Sequence, residues 1–141
     1  MIEDTQISKN RGGGVKIIRG NTIFNDCKII NNESSNPGVG ILTCEAEVNF
    51  NNCEIEKNKS WRVVDENGGG IMICGGAVAF KNTRIRKNRA KKGGGIYVAG
   101  NAQVGLDDKC IIEGNSRPQL YKGSDECKIE YDLSIIKGQN Q

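Results

Sequence analysis

Apolar residues alternate with polar ones in short segments along most of the chain. The alternating positions fall into three recurring sets: Val15 and Ile17, Ile41 and Thr43, Ile71 and Ile73, Ile96 and Val98; then Phe24, Val48 and Phe50, Val78 and Phe80; then Cys27 and Ile29, Cys53 and Ile55, Thr83 and Ile85. A period of two indicates β-strands rather than helices. The pattern therefore predicts three short strands in each repeating unit, separated by Gly and Asn turns.

The units form an internal repeat. Glycine-rich runs begin at Gly12, Gly38, Gly68 and Gly93, at intervals of 26, 30 and 25 residues. A second motif, Cys or Thr-x-Ile-x-x-Asn, occupies residues 5–10, 27–32, 53–58, 83–88 and 110–115, with a degenerate copy at 127–132. Units of this size bury their apolar face only by stacking on their neighbours. The sequence predicts an all-β fold, a right-handed parallel β-helix (solenoid) of about four to five rungs.

The repeats occupy residues 1–116, and 117–141 is expected to form a C-terminal capping strand followed by a polar tail. Ile129, Tyr131, Leu133 and Ile135 alternate as that strand. At the other end, Thr5 to Asn10 is the end of a repeat that lacks its glycine start, so the first rung is expected to be open. Unpaired strand edges attract partners, which makes this end a candidate surface for a protein partner or for self-association.

The repeated asparagines are expected to stabilise the turns between strands. Asn tolerates the left-handed backbone of tight turns. Stacked one strand spacing apart, their amides can also hydrogen-bond along the solenoid. We expect one structural ladder, formed by Asn10, Asn32, Asn58, Asn88 and Asn115.

Composition narrows the function. The 141 residues carry a net charge of only +3, which does not favour nucleic acid as a partner, and they include no histidine, the commonest general base and metal ligand. No run of about 18 apolar residues is present, so no membrane span is expected. No signal peptide is visible, and the localisation stays open between a cell surface and the cell interior. No cofactor, metal or catalytic residue is predicted.

Six cysteines occupy repeat positions rather than a disulfide pattern. Cys27, Cys53 and Cys110 share one position beside the core isoleucines, and Cys44 and Cys74 share another. We expect stacked columns of small buried free thiols. Disulfides between rungs are the alternative, and zinc is disfavoured because there is no Cys-x-x-Cys pair and no histidine.

Two surface segments are candidate binding sites. The longest insert, residues 59–67, carries Trp61, Val63 and Val64, which could anchor a partner or fold over the side of the solenoid. The one dense basic run, a possible polyanion patch, comprises Arg84, Arg86, Lys87, Arg89, Lys91 and Lys92. Stacking places Lys28, Glu54 and Arg84 in one column and Glu56, Arg86 and Glu113 in another, so much of this charge is expected to be neutralised by cross-strand pairs.

The Gly-Gly-Gly-Val and Gly-Gly-Gly-Ile motifs at Gly12, Gly68 and Gly93, with Phe24, Phe50 and Phe80, resemble the repeats of the chlamydial polymorphic outer membrane proteins. Cys27, Cys53 and Thr83 stand where that family has Asn. The resemblance covers about residues 5 to 115. It implies a β-helix used for adhesion or display, with no catalytic residues to carry over.

Three functions follow from these patterns. The first is a non-catalytic structural or interaction module, a repeat segment of a larger surface or adhesin-like protein. The second is an intracellular scaffold subunit in a larger assembly. The third and least favoured is a carbohydrate-active enzyme, for which the candidate carboxylates are Asp107 and Asp108, with Asp65 and Glu66 on the long insert. Adjacent strand residues point to opposite faces, so Asp107 and Asp108 make a poor pair.

Overall fold

The structure is a computed structural model that describes residues 1–61 and 67–140. It contains seventeen strands and one short 3-10 turn in the described residues. The strands are β1 (Ile2–Glu3), β2 (Gln6–Ser8), β3 (Val15–Ile18), β4 (Asn21–Asn25), β5 (Lys28–Ile30), β6 (Glu33–Ser34), β7 (Ile41–Asn51), β8 (Glu54–Glu56), β9 (Lys59–Ser60), β10 (Ile71–Lys81), β11 (Arg84–Arg86), β12 (Ile96–Ala99), β13 (Gln103–Leu106), β14 (Ile111–Glu113), β15 (Leu120–Lys122), β16 (Lys128–Glu130) and β17 (Ile136–Lys137), and the 3-10 turn is Leu133–Ile135.

All strand pairs are parallel. Apart from β6 and β9, which form a separate two-stranded sheet, the strands stack in register along three columns. The first column contains β3, the first half of β7, the first half of β10, β12 and β15. The second contains β1, β4, the second halves of β7 and β10, β13 and β16. The third contains β2, β5, β8, β11, β14 and β17. The chain therefore winds as a parallel β-solenoid of about five turns, and the predicted fold class is confirmed.

Two of the predicted strand boundaries are wrong in the middle rungs. The first and second strands of those rungs are continuous, as the 11-residue strands β7 and β10. The chain bends within each strand without leaving its sheet, at Glu45 with a φ of +51° and at Gly75 and Gly76 with φ near +75°. A local left-handed residue turns the strand through a corner while the neighbouring residues keep their ladder bonds.

The core is a stack of identical side chains on successive rungs. Phe24, Phe50 and Phe80 stack with ring centroids 5.0 and 5.1 Å apart. Isoleucines at the inward positions of the other columns are fully buried in the middle rungs, such as Ile55, Ile71 and Ile85, and partly buried toward the ends, such as Ile7 and Ile17. Thr43 breaks the pattern, because its buried hydroxyl lies in register between Ile17 and Ile73 and has no hydrogen-bond partner among the described residues.

The asparagines form a continuous chain of amide hydrogen bonds. In each step the backbone N–H and the Nδ2 of one Asn donate to the Oδ1 of the next, from Asn10 through Asn32, Asn58 and Asn88 to Asn115, at 2.9–3.1 Å. The inner members also donate to a backbone carbonyl of the preceding rung. Every donor of these buried amides is thereby satisfied. The ladder ends at Gln119, whose Oε1 accepts from the backbone N–H and from Nδ2 of Asn115.

The ladder explains the last glycine of each run. A Cβ on Gly70 would lie 3.0 Å from Asn88 Nδ2 and 2.5 Å from the carbonyl oxygen of Gly95. Gly14, Gly40 and Gly95 face the same combination of a ladder amide and a backbone carbonyl. Glycine is required there by close approach, since none of these four residues has a positive φ. The glycine motif and the asparagine motif therefore pack against each other in the structure.

The C-terminal region differs from the expected single strand. β15, β16 and β17 add a further short strand to each column. Leu133 and Ile135 belong to the 3-10 turn, and Leu133 is 75% exposed. The degenerate motif copy at 127–132 does not join the third column as the other copies do: Lys128–Glu130 pairs with Gln103–Gly105 in the second. The tail then folds back onto β15. Asn140 Oδ1 accepts from the backbone N–H of Leu120, and Asn140 Nδ2 donates to the Leu120 carbonyl oxygen.

Candidate functional site

The outward side of the first column is apolar from β7 to β15. Leu42, Met72, Tyr97 and Tyr121 stack in register there, and together with Ile18, in the neighbouring outward row, we call them the outer apolar face. On β3 the position in register with Leu42 is the exposed Lys16, which places a positive charge at that end of the row. Ile18 is 56% exposed. In β10 and β12 the inward residues between these positions are also apolar, so these two strands are hydrophobic on both sides, as in sheets that are covered on both faces. A contiguous exposed apolar surface is typical of interaction sites.

The outward side of the third column is charged instead. Arg86 contacts the Glu56 carboxylate at 2.6 Å and the Glu113 carboxylate at 3.5 Å. Lys28 lies 3.9 Å from Glu54 on the next rung. Opposite charges thus alternate along this column, as predicted, and the carboxylates raise the pKa of Arg86 above its usual value. The outward side of the third column therefore differs in chemistry from that of the first.

The outer apolar face ends beside a cavity at the last rung. Tyr97 and Tyr121 stack with centroids 5.3 Å apart, and Lys92 Nζ lies 5.0 Å from the Tyr121 ring centroid. The cavity has a volume of about 920 Å³. Its lining comprises Arg117, Pro118, Leu120, Tyr121, Lys122, Ile129, Tyr131 and Asn140. Apolar inward residues of the last rung therefore meet two aromatic side chains and cationic groups at the rim.

Trp61 lies against the side of the solenoid. Its indole Nε1 donates to Glu33 Oε2 at 2.8 Å, and the Arg11 guanidinium lies 5.5 Å from its ring centroid. Half of the residue stays exposed. Of the two sequence interpretations, these contacts match the tryptophan that folds over the side. Val63 and Val64, which were predicted with it, lie outside the described residues.

The basic run divides among different environments. Arg84, Lys87, Arg89 and Lys91 are exposed. Arg86 is held between Glu56 and Glu113, and Lys92 lies over Tyr121. Four of the six residues therefore remain at the surface of one rung, and the expected charge neutralisation is centred on Arg86.

The cysteine prediction is correct for one column and wrong for the other. All six are free thiols. Cys27, Cys53 and Cys110 are buried beside the core, and burial raises the pKa of Cys53 to about 11 and that of Cys110 to about 12. Cys44 and Cys74 were expected to be buried as well. They are half-exposed, because they lie an odd number of residues from the inward Ile41 and Ile71 and so point outward.

Of the four carboxylates considered for an enzyme, Asp107 is engaged in hydrogen bonds and Asp108 is exposed, and the other two lie outside the described residues. Asp107 accepts hydrogen bonds from the backbone N–H of Asn82, the backbone N–H of Lys109 and the thiol of Cys110. Burial acts to raise the pKa of Asp107, but these hydrogen bonds outweigh it and lower the pKa below its usual value. Asp108 is exposed. Asp65 and Glu66 lie outside the described residues.

Comparisons with known proteins identify the repeat. A family model described as a right-handed beta helix region matches residues 1–134. Comparison with curated proteins gave no match, and neither did comparison with solved structures. Across residues 1–61 and 67–140, no helix has the length and apolar character needed to cross a membrane, and no cluster of three or more metal-ligating side chains is present.

The outer apolar face was missed in the sequence. The signal was available, since the first strands read Val-Lys-Ile-Ile, Ile-Leu-Thr-Cys, Ile-Met-Ile-Cys and Ile-Tyr-Val-Ala. Only their inward residues were used to identify the fold. The outward residues of the same strands, Leu42, Met72 and Tyr97, depart from the polar-out pattern of a solvated sheet.

Proposed function

Because this chain belongs to the right-handed β-helix family, we propose that it is a non-catalytic interaction module that binds a protein partner through the outer apolar face. The observation that carries this proposal is the outward stack of Leu42, Met72, Tyr97 and Tyr121 on four successive rungs, with the exposed Ile18 in the neighbouring outward row. The resemblance to surface-protein repeats supports the finer assignment of an adhesin-like display role. The use of Asp107 as a hydrogen-bond acceptor in a turn supports a non-catalytic role.

The chemistry of the partner follows from the face. Leu42 and Met72 offer flexible apolar contact, and the Tyr97–Tyr121 pair offers a rigid aromatic surface, which is the kind of residue that anchors interfaces. Lys92 beside Tyr121 places a positive charge at one end. The matching partner is a protein segment with apolar side chains along its length and carboxylates near one end.

The test places a photo-crosslinking amino acid at Met72 in cells of the source organism. A matched control carries it at Ala79, which is also half-exposed on β10 but lies in the second column. We expect a specific protein adduct from Met72 alone. We also expect Met72→Lys to weaken binding of that protein by at least about tenfold, and Ala79→Lys to leave it unchanged. Equal adducts from both positions, or no adduct from Met72, would overturn the proposal.

A second candidate, the scaffold role through end-to-end association, is favoured by the terminal cavity. β15, β16 and β17 each pair on one side only among the described residues. Ile129 lines the cavity beside them. Light scattering on purified protein should then give a discrete oligomer or polymer, and Ile129→Asp should convert it to a monomer. A wild-type monomer at high concentration would argue against this second role.

A further inference from the structure

Two cysteines lie side by side on neighbouring rungs and point outward. Cys44 and Cys74 are direct register partners in the parallel strands β7 and β10, so their side chains leave the sheet on the same side. Adjacent strands lie about 4.8 Å apart, which is inside the Cα–Cα range of about 4.4–6.8 Å that a disulfide spans. A covalent bond between them needs no change in strand pairing.

Access separates this pair from the other four cysteines. Cys44 and Cys74 are half-exposed, whereas Cys27, Cys53, Cys110 and Cys127 are each about 1% exposed. The outward column continues with Ile18 on one side of the pair and Ala99 on the other, so no third thiol adjoins it there. A small reagent in solution therefore reaches these two thiols and not the buried ones.

We propose that Cys44 and Cys74 form a thiol–disulfide exchange site, at which a low-molecular-weight disulfide such as oxidised glutathione creates a bond between the rung of β7 and the rung of β10. The thiolate of Cys44 attacks one sulfur of the small disulfide and releases its other half as a thiol. Cys74 then attacks the Cys44 sulfur of the mixed disulfide and releases the second small thiol. The two protein thiols lose two electrons and two protons, and the small disulfide takes up both.

The order of attack follows from the local environment. Burial, reinforced by the Cys44 thiol and by Glu45, raises the pKa of Cys74 to about 11. Cys74 is therefore a poor first nucleophile at neutral pH, since only the thiolate attacks. Once Cys44 is held in a mixed disulfide, its thiol no longer opposes ionisation of Cys74. The proposal rests on the register and exposure of the pair and is independent of whether the outer apolar face binds a partner.

The experiment treats the reduced protein with excess oxidised glutathione, blocks remaining thiols and maps the products by mass spectrometry. We expect a Cys44–Cys74 disulfide, with the protein mass lowered by two hydrogens. The buried thiols of Cys27 and Cys53, which also occupy neighbouring rungs, serve as an internal control. They should react at least about tenfold more slowly. Oxidation should also raise the melting temperature by about 10 °C, because it closes a loop of about 30 residues.

Single variants separate exchange from simple surface reactivity. Cys74→Ser should accumulate a stable glutathione adduct at Cys44. Cys44→Ser should form an adduct much more slowly, and neither variant should gain melting temperature on oxidation. A wild-type protein that stops at a glutathione adduct, that keeps both thiols, or that first forms a bond between Cys27 and Cys53 would overturn the proposal.

Discussion

Removing one amide from the middle of the asparagine ladder tests whether the ladder holds the rungs together. Asn58 is fully buried and takes part in four side-chain hydrogen bonds of 3.0 Å. Its Oδ1 accepts the backbone N–H and the Nδ2 of Asn32, and its Nδ2 donates to Ile29 O and Asn88 Oδ1. Asn58→Ala deletes all four bonds and offers no replacement partner in a buried site.

The magnitude follows from the groups left without partners. The backbone N–H of Asn32 and one of its Nδ2 hydrogens lose their acceptor, and each such buried donor costs about 1–3 kcal/mol. Asn88 Oδ1 keeps the bond from the Asn58 backbone N–H and is only partly affected. We expect a loss of about 4 kcal/mol in the free energy of unfolding. That is a large part of the roughly 5–15 kcal/mol typical of a domain.

Asn10→Ala is the matched control at the end of the ladder. Asn10 is exposed, and the variant loses one side-chain bond to Asn32 Oδ1, which still accepts the backbone N–H of Asn10. Its loss should be about 1 kcal/mol or less. Urea unfolding followed by circular dichroism measures both variants, with unchanged m-values as the check that the same surface is exposed.

Two results would refute the reasoning. The first is a similar loss for Asn58→Ala and Asn10→Ala. The second concerns Asn58→Asp, which keeps an acceptor for Asn32 but turns a second, charged oxygen toward Ile29 O and Asn88 Oδ1. Its destabilisation should shrink as the pH falls and the carboxyl group is protonated, because the neutral acid can donate to one of those oxygens. A pH-independent loss would contradict the assigned donor and acceptor roles.

Two further predictions concern single polar groups. Thr43→Val should raise the free energy of unfolding by about 1 kcal/mol, because it replaces a buried hydroxyl that has no partner among the described residues, and a lower stability in urea would contradict this. The folded-state pKa of Asp107 is lowered, so its contribution to stability is complete above the unfolded-state pKa of about 3.9 and is lost as the pH falls through the folded-state value. The melting-temperature difference between wild type and Asp107→Asn should accordingly narrow on acidification from pH 5. A constant difference would contradict the lowered pKa of Asp107.

The rungs could be predicted because each one repeats the same residue types at the same positions. Register in a solenoid needs only equivalent residues at equivalent positions, and Ile29, Ile55 and Ile85 supply them in the third column. Changes of repeat length, such as the 30-residue interval after Gly38, are absorbed in the turns and leave the ladder pairing intact. The amide ladder could be predicted for the same reason.

The last rung could not be predicted in this way. A six-residue motif does not specify which column its strand will join. The copy at 127–132 begins 17 residues after the copy at Cys110, against 22–30 residues between the other copies, and it joins the second column. Gln119, which ends the ladder, is not an asparagine and lies four residues after Asn115, outside the repeat. The outward position of Cys44 and Cys74, in contrast, follows from the alternation of a strand. Ile41 and Ile71 point inward, so residues an odd number of positions later, including Cys44 and Cys74, point outward.

The amide ladder also gives the solenoid an electrical direction. In every step the Oδ1 atom faces the preceding rung and accepts from it, so the side-chain dipoles of Asn32, Asn58, Asn88 and Asn115 point the same way. Aligned amide dipoles add, and each polarises the next. The two ends of the rod are therefore not equivalent: the oxygen ends point toward Asn10, and at the other end Gln119 Nε2 donates to the carbonyl groups of Lys137 and Gln139. A rung added at the Asn10 end must bring donors, which makes any growth of the rod directional.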